Sequence, residues 1–190
     1  MRGILFIISA PSGAGKTTLC NKAIDFFPGL RHSVSYTTRL PRQREIDGVE
    51  YHFITDAVFD EMVERGEFLE YASVHGKRYG TSRKDLEQIL DDGFDVVLDI
   101  DVQGARQVKE RLKDAVFVFI LPPSLVECEK RLRGRNDSAP EDIELRLKRA
   151  EEEMQESRNY DYVFTNDNLD ETFERLKAIM IAEREERRGA

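Results

Sequence analysis

The sequence predicts an α/β fold, a parallel sheet flanked by helices that carries an inserted mixed α+β subdomain and a second, helical insertion. Three observations predict it. Residues 4–9, Ile-Leu-Phe-Ile-Ile-Ser, are a continuous apolar run that enters a turn ending in Gly15-Lys16-Thr17 and opens a helix. Buried-strand and amphipathic-helix patterns then alternate along the chain, the mark of a parallel sheet wrapped by helices. The alternation breaks at about 33–93 and about 124–145, where short β segments, turns and charged helices take over.

The elements follow in order. Strand 4–9 leads to a helix over about 16–27, with Leu19, Ala23, Ile24 and Phe27 on one face and Pro28-Gly29 as its stop. Residues 33–54 read as β segments around a polar loop, and a helix over 56–65 ends at Gly66. A β stretch covers 67–74, and a turn is expected from Gly76 to Gly80. Ser82 with Asp85 makes a capping box for a helix that Gly93 closes. Phe94–Ile100 is a strand of the buried parallel kind, followed by a helix over 102–112 and a strand over Ala115–Leu121. Ser124 and Glu127 form another capping box. Gly134 through Pro140 separates two helices, with Asn136, Asp137 and Ser138 as turn formers. Strand Tyr162–Thr165 and a helix from about 169 close the domain, and Glu183–Arg188 reads as a fraying, solvated turn.

Composition narrows the classes. At 190 residues the chain can bury one full core, and its 40% apolar content includes no run near the 18 or so residues of a membrane span. The first strand begins so early that no signal peptide is expected, and the two cysteines, Cys20 and Cys128, are read as reduced thiols of a cytoplasmic protein. His32, His52 and His75 show no metal spacing and read as surface or packing residues. The net charge of −8 argues against general nucleic-acid binding.

Arginines nonetheless gather in two places. Arg31, Arg39, Arg42 and Arg44 fall in a stretch without an acid between Asp25 and Glu45. Lys130, Arg131, Arg133 and Arg135 form a second group, joined by Arg146, Lys148 and Arg149, although Glu127, Glu129 and Glu151 would equally make that stretch a solvated, paired helix face. The turn Ala10-Pro11-Ser12-Gly13-Ala14-Gly15-Lys16-Thr17-Thr18 has the layout of a phosphate-binding P-loop. Backbone N–H groups at the helix N-terminus face an anion, Lys16 adds a point charge, and Thr17 can ligate Mg²⁺. The pattern departs once, with Ala10 where Gly is usual. A P-loop with two arginine groups suits an enzyme that holds a phosphate donor and a phosphate acceptor and closes over both.

Thr38-Arg39-Leu40-Pro41-Arg42 leading through Glu45 and Gly48 to Tyr51-His52-Phe53 resembles the guanylate kinase signature, a branch of the nucleoside monophosphate kinases. The likeness continues through Tyr79-Gly80-Thr81, Leu98–Gly104, Arg131–Arg135, Arg146 and Asn166–Leu169, and so covers nearly the whole chain. Arg44 departs from it, since many relatives carry Gly there.

The resemblance implies ATP:GMP phosphotransfer with Mg²⁺, giving ADP and GDP. It implies a core at 1–32, 94–123 and 146–190, a GMP-binding insertion at 33–93 and a lid at 124–145. Arg39, Arg42, Tyr51 and Tyr79 would hold the GMP phosphate, because arginine forks suit phosphate and tyrosine hydroxyls can donate to it. Glu70 would accept the N1–H and N2–H₂ donors of guanine, with Ser35, Thr81 and Asp101 adding contacts to the base. The P-loop residues, with Asn166 at the adenine, would hold ATP; Asp99 would support Mg²⁺ beside Thr17. Lys16, Arg131, Arg135 and Arg146 would stabilise the transferring group. No nucleic-acid or membrane partner is expected, and the sequence names no protein partner.

Two other readings have discriminating residues. A kinase of sugar bisphosphates on the same scaffold would have no use for a guanine-reading carboxylate at Glu70. A guanylate-kinase-like module that only binds phosphopeptides could dispense with Lys16, Thr17, Arg131 and Arg146, all of which are present.

Overall fold

The computed structural model describes residues 1–74, 76–134 and 140–189, with the side chains of residues 140–142 and 188 left undescribed. His75, Arg135 and the turn formers Asn136, Asp137 and Ser138 lie outside the described residues.

Strands β1 (Leu5–Ser9), β2 (Leu30–His32), β7 (Asp95–Asp99), β8 (Val116–Leu121) and β9 (Tyr162–Thr165) form a parallel sheet in the order β2-β7-β1-β8-β9. The two-residue period of a strand divides their side chains between two cores. Phe6, Ile8, Val97, Val118 and Ile120 face one side, covered by α1 (Lys16–Phe26) and α7 (Leu169–Gly189) through Leu19, Cys20, Ala23, Leu176 and Met180. Leu5, Ile7, Val96, Leu98 and Phe117 face the other, covered by α3 (Arg83–Asp91) and α4 (Val102–Arg111) through Leu86, Leu90, Ala105 and Val108. Because α1 leaves β1 toward one face and α4 leaves β7 toward the opposite face, a crevice opens at the carboxyl ends of these two neighbours. That is the place where open α/β sheets bind ligands.

A second sheet, ordered β4-β3-β6-β5, is built from β3 (Ser35–Thr37), β4 (Tyr51–Phe53), β5 (Phe68–Val74) and β6 (Lys77–Ser82). Helix α2 (Asp56–Glu64) covers it with Phe59 and Met62, packed on Phe68. A β-bulge between Phe68 and Glu70 gives three consecutive side chains three destinations. Phe68 enters this small core, Leu69 enters the α3/α4 side of the main core, and Glu70 turns toward the cleft. Helices α5 (Leu125–Gly134) and α6 (Pro140–Gln155) pack through Cys128, Leu132, Ile143 and Ala150.

The expected caps are present: the Asp85 N–H donates to Ser82 Oγ at 3.2 Å and the Glu127 N–H to Ser124 Oγ at 3.1 Å. Three expectations need correction. Strand β2 was not foreseen. The Gly76–Gly80 turn is confined to its start, since Lys77–Ser82 pairs as β6, and Gly80 lies in that strand because the Phe68 ring sits 2.8 Å from where a Cβ would project. The tail does not fray before Arg188: α7 runs to Gly189, held by an ion pair of Arg184 with Asp95 and a 2.7 Å hydrogen bond from Tyr162 to Glu183. Among the described residues no helix is long and apolar enough to cross a membrane.

Candidate active site

The turn after β1 is shaped by two glycines that a side chain could not replace. Gly13 and Gly15 have φ of 90° and 93°, in the left-handed region, and a Cβ on Gly15 would stand 2.6 Å from the Asn166 amide nitrogen. Ala10, the departure at the first position of the motif, does not have positive φ and packs into the core, so glycine is not required there. Helix α1 begins with no side-chain cap and no acid in its first turn, which leaves its N–H groups open to an anion. Behind the loop, the Cys128 thiol on α5 donates to the Ser12 carbonyl at 2.7 Å. Cys20 and Cys128 are both buried thiols, and burial pushes the Cys20 thiol well up, so it stays protonated.

Lys16 is partly buried beside the end of β7, where it forms an ion pair with Asp99 and donates to the Ile100 carbonyl at 3.1 Å. Burial opposes both charges, yet each holds the other ionised: the Lys16 pKa lies above its ordinary value and that of Asp99 below. Thr17 Oγ1 donates to the other Asp99 oxygen at 3.0 Å.

A cleft of about 990 Å³ runs from this loop to the second sheet. It brings together Ala10–Gly13, Gly15–Thr18 and Asp99 at one end and Ser35, Tyr51, Glu70 and Tyr79 at the other, with Asp101 close enough to act on both Lys16 and Glu70 and Arg146 on its wall. Glu70 is 3% exposed and accepts a 2.6 Å hydrogen bond from Thr81 Oγ1, its register partner on β6. Thr81 therefore orients Glu70 from beneath rather than lining the cleft. Desolvation, aided by the Asp101 charge, pushes the Glu70 carboxyl up to about 7. The approach is so close that a Cβ on Gly104 would stand 2.3 Å from its Oε2. Asp101 caps α4 by accepting from the Gly104 N–H at 2.9 Å.

Arg39 lies over the rings of Tyr51 and Phe53 at 5.2 and 5.6 Å and clasps Glu45 with both terminal nitrogens at 2.8 and 3.0 Å. Its hydrogen bond to Glu45 raises its pKa, so the guanidinium stays charged. A planar pair of oxygens thus already occupies the fork. Tyr51 and Tyr79 meet at 5.8 Å between ring centres. The Arg42 side chain is exposed, and its backbone N–H donates to Glu45 at 2.7 Å. Arg44, with φ 81°, is the one described non-glycine residue with positive φ, so the loop makes here a left-handed turn of the kind that suits glycine.

Other expected residues stand apart. Arg131 is tethered to Glu127 at 3.3 Å and to the Asn166 carbonyl at 3.4 Å. Asn166 is 4% exposed and donates to the Ala14 carbonyl at 2.7 Å, beneath the loop. His52 packs on Tyr36 at 4.5 Å, whereas His32 lines the cleft. Several lining residues were missed. Glu153 on α6 and Glu156, in the single 3-10 turn that follows it, continue the face of Arg146 and Arg149 at helical spacing, a charge pattern that reads equally well as a solvated face. Burial pushes the Glu153 carboxyl up to about 7, with Asp101 adding to the effect.

A family model described as guanylate kinase matches residues 2–183. A guanylate kinase of Geobacter metallireducens is 54% identical, the match covering 96% of this chain and 90% of that one. One of Alkalilimnicola ehrlichii is 48% identical over 97% of this chain and 91% of its own. The crystal structure of guanylate kinase from Anaplasma phagocytophilum superposes with a TM-score of 0.78 at 35% identity, covering 96% of this chain and 86% of that chain.

Proposed function

The chain belongs to the guanylate kinase family, and from that premise we propose how its cleft works. It is a nucleoside monophosphate kinase, an ATP:GMP phosphotransferase. The observation that carries the residue-level reading is one cleft with a lysine-bearing phosphate loop at one end and a buried, hydrogen-bonded carboxylate at the other.

Residues 1–32, 94–123 and 146–190 act as the core, 33–93 as the GMP-binding insertion and 124–145 as the lid. The loop N–H groups and Lys16 hold the ATP phosphates, so Lys16 exchanges Asp99 for a phosphate oxygen when the donor arrives. The Thr17 hydroxyl and an Asp99 oxygen, 3.0 Å apart, are hard oxygen donors, and among the described residues no cluster of three or more His, Cys, Asp or Glu competes with them. That set fits Mg²⁺, which takes one or two protein ligands beside substrate phosphates and would neutralise charge there. Arg39, Arg42, Tyr51 and Tyr79 hold the acceptor phosphate. Glu70, steadied by Thr81, reads guanine beside Ser35 and Asp101. Arg131, Arg135 and Arg146 gather on the transferring group as the lid closes and water leaves. A phosphate oxygen of GMP is already anionic, so no separate base is needed. The reaction takes place in the cytoplasm.

Purified protein assayed with ATP and each of GMP, AMP, CMP and UMP is expected to release ADP rapidly with GMP alone. Comparable turnover with AMP would overturn the guanine-reading role. Within the acceptor site, Arg39→Ala should weaken GMP by roughly 1.5–3 kcal/mol, the worth of a charge-assisted hydrogen bond, and leave ATP nearly unaffected. Arg42→Ala acts in the same direction with a smaller effect, because its side chain starts exposed. Calorimetry showing unchanged GMP affinity in both variants would remove the pair from the site.

A further inference from the structure

We infer that Asn166 is a positioning residue for the phosphate loop, acting on the donor through the Ala14–Gly15 peptide. The carbonyl of Ala14 and the N–H of Gly15 belong to one peptide plane and point in opposite directions. Asn166 Nδ2 donates to that carbonyl at 2.7 Å from beneath, so the Gly15 N–H is aimed the other way, into the loop where a phosphate sits. Gly15, at φ 93°, has little intrinsic resistance to a flip of this plane. A flipped plane would present an oxygen to the anion in place of a donor. The latch is built tightly: the Asn166 amide nitrogen fills the space where a Cβ on Gly15 would be, at 2.6 Å.

Asn166 is itself fixed. Its N–H donates to the Leu121 carbonyl at the end of β8 at 2.8 Å, and its own carbonyl accepts from Arg131 at 3.4 Å. One residue therefore ties together the loop, the sheet and an arginine of α5. The amide is turned to the loop backbone, and so the effect should not depend on which base the donor carries.

The inference rests on the donor-site reading above, and the test separates the two. Asn166→Ala and the isosteric Asn166→Asp, which offers an oxygen where the donor was, are assayed with ATP and with inosine triphosphate. These donors share ribose and triphosphate and differ in the base. Both variants should lose at least about tenfold in kcat/KM by the same factor for the two donors, with KM for GMP within about twofold of the parent and the thermal midpoint reported alongside. If Ala at this position prevents folding, the Asp variant carries the test. A loss confined to ATP would make Asn166 a base contact and overturn the inference, as would unchanged kcat/KM or a parallel rise in KM for GMP. Lys16→Ala checks the underlying reading: if it stays active the donor site itself is misplaced, whereas an inactive Lys16→Ala beside normal Asn166 variants sinks this inference alone.

Discussion

Lys16→Ala is expected to lower kcat by about 10²–10³-fold, the usual loss when one preorganised charge is removed from a transition state, while GMP affinity stays within about twofold. Lys16 belongs to the donor end of the cleft, and the acceptor groups stand on the second sheet. A variant keeping more than about a tenth of parental kcat would cap the effect below ~1.4 kcal/mol and refute the role. Stability is a separate readout. Lys16 and Asp99 are a largely buried pair, with side chains 19% and 14% exposed, so truncating one partner strands the other. Breaking a buried pair in this way costs about 3–5 kcal/mol, discounted here for the residual exposure. Adding Asp99→Asn should recover most of the thermal midpoint and none of the turnover. Turnover that returns with stability would mean the lysine is structural.

Glu70→Gln should lower kcat/KM for GMP by about a hundredfold or more, because an amide donor would meet a guanine donor in a site with no water to relieve it. Phosphate contacts and ATP binding remain. The ratio of kcat/KM for GMP over AMP should fall at least about tenfold, ~1.4 kcal/mol of lost discrimination. An unchanged ratio would mean that the base is read elsewhere. The protonation state of Glu70 gives an independent check. With its carboxyl pushed up to about 7, the ligand-free protein carries a large protonated fraction at neutral pH, and guanine binds the ionised form. GMP affinity should therefore be about tenfold weaker at pH 6 than at pH 8, beyond any change in Glu70→Gln, which corrects for titration of the GMP phosphate itself. For folding the sign is opposite to that of a salt-bridged acid. The raised value stabilises the fold below the ordinary carboxylate range, and that stabilisation is lost as pH rises through about 7. Equal pH profiles for the parent and Glu70→Gln would show that Glu70 does not titrate in the binding step.

The parallel sheet and its helices were legible because their signals are dense: β1, β7 and β8 are buried apolar runs, and Ser82 and Ser124 cap their helices as the spacing implied. Strand β2 was missed because it has three residues with only Leu30 buried, so no alternation reveals it. Gly80 misled because glycine marks turns statistically, whereas here it marks the close passage of Phe68. At the site, residue types and order suggested the phosphate loop and the arginine pair of Arg39 and Arg42, and the family resemblance pointed to Glu70. What sequence could not give was who occupies these groups when substrate is absent. Asp99 on Lys16 and Glu45 on Arg39 are long-range or loop-closing pairs, set by the packing of β7 against β1 and by a left-handed Arg44, and neither follows from spacing.

The bulged run Phe68-Leu69-Glu70 has a consequence for anyone redesigning the base preference of this scaffold. Its neighbours in sequence serve separate compartments, so a substitution chosen for the ligand pocket is transmitted directly to the seam between the two sheets. A one-residue deletion there would swap those assignments wholesale. It would push a carboxylate into a hydrophobic seam and a leucine into the pocket. Libraries aimed at new acceptor bases therefore belong on Ser35, at the start of β3, which lines the same cleft away from the bulge, with the bulge left as an invariant hinge pin of the architecture.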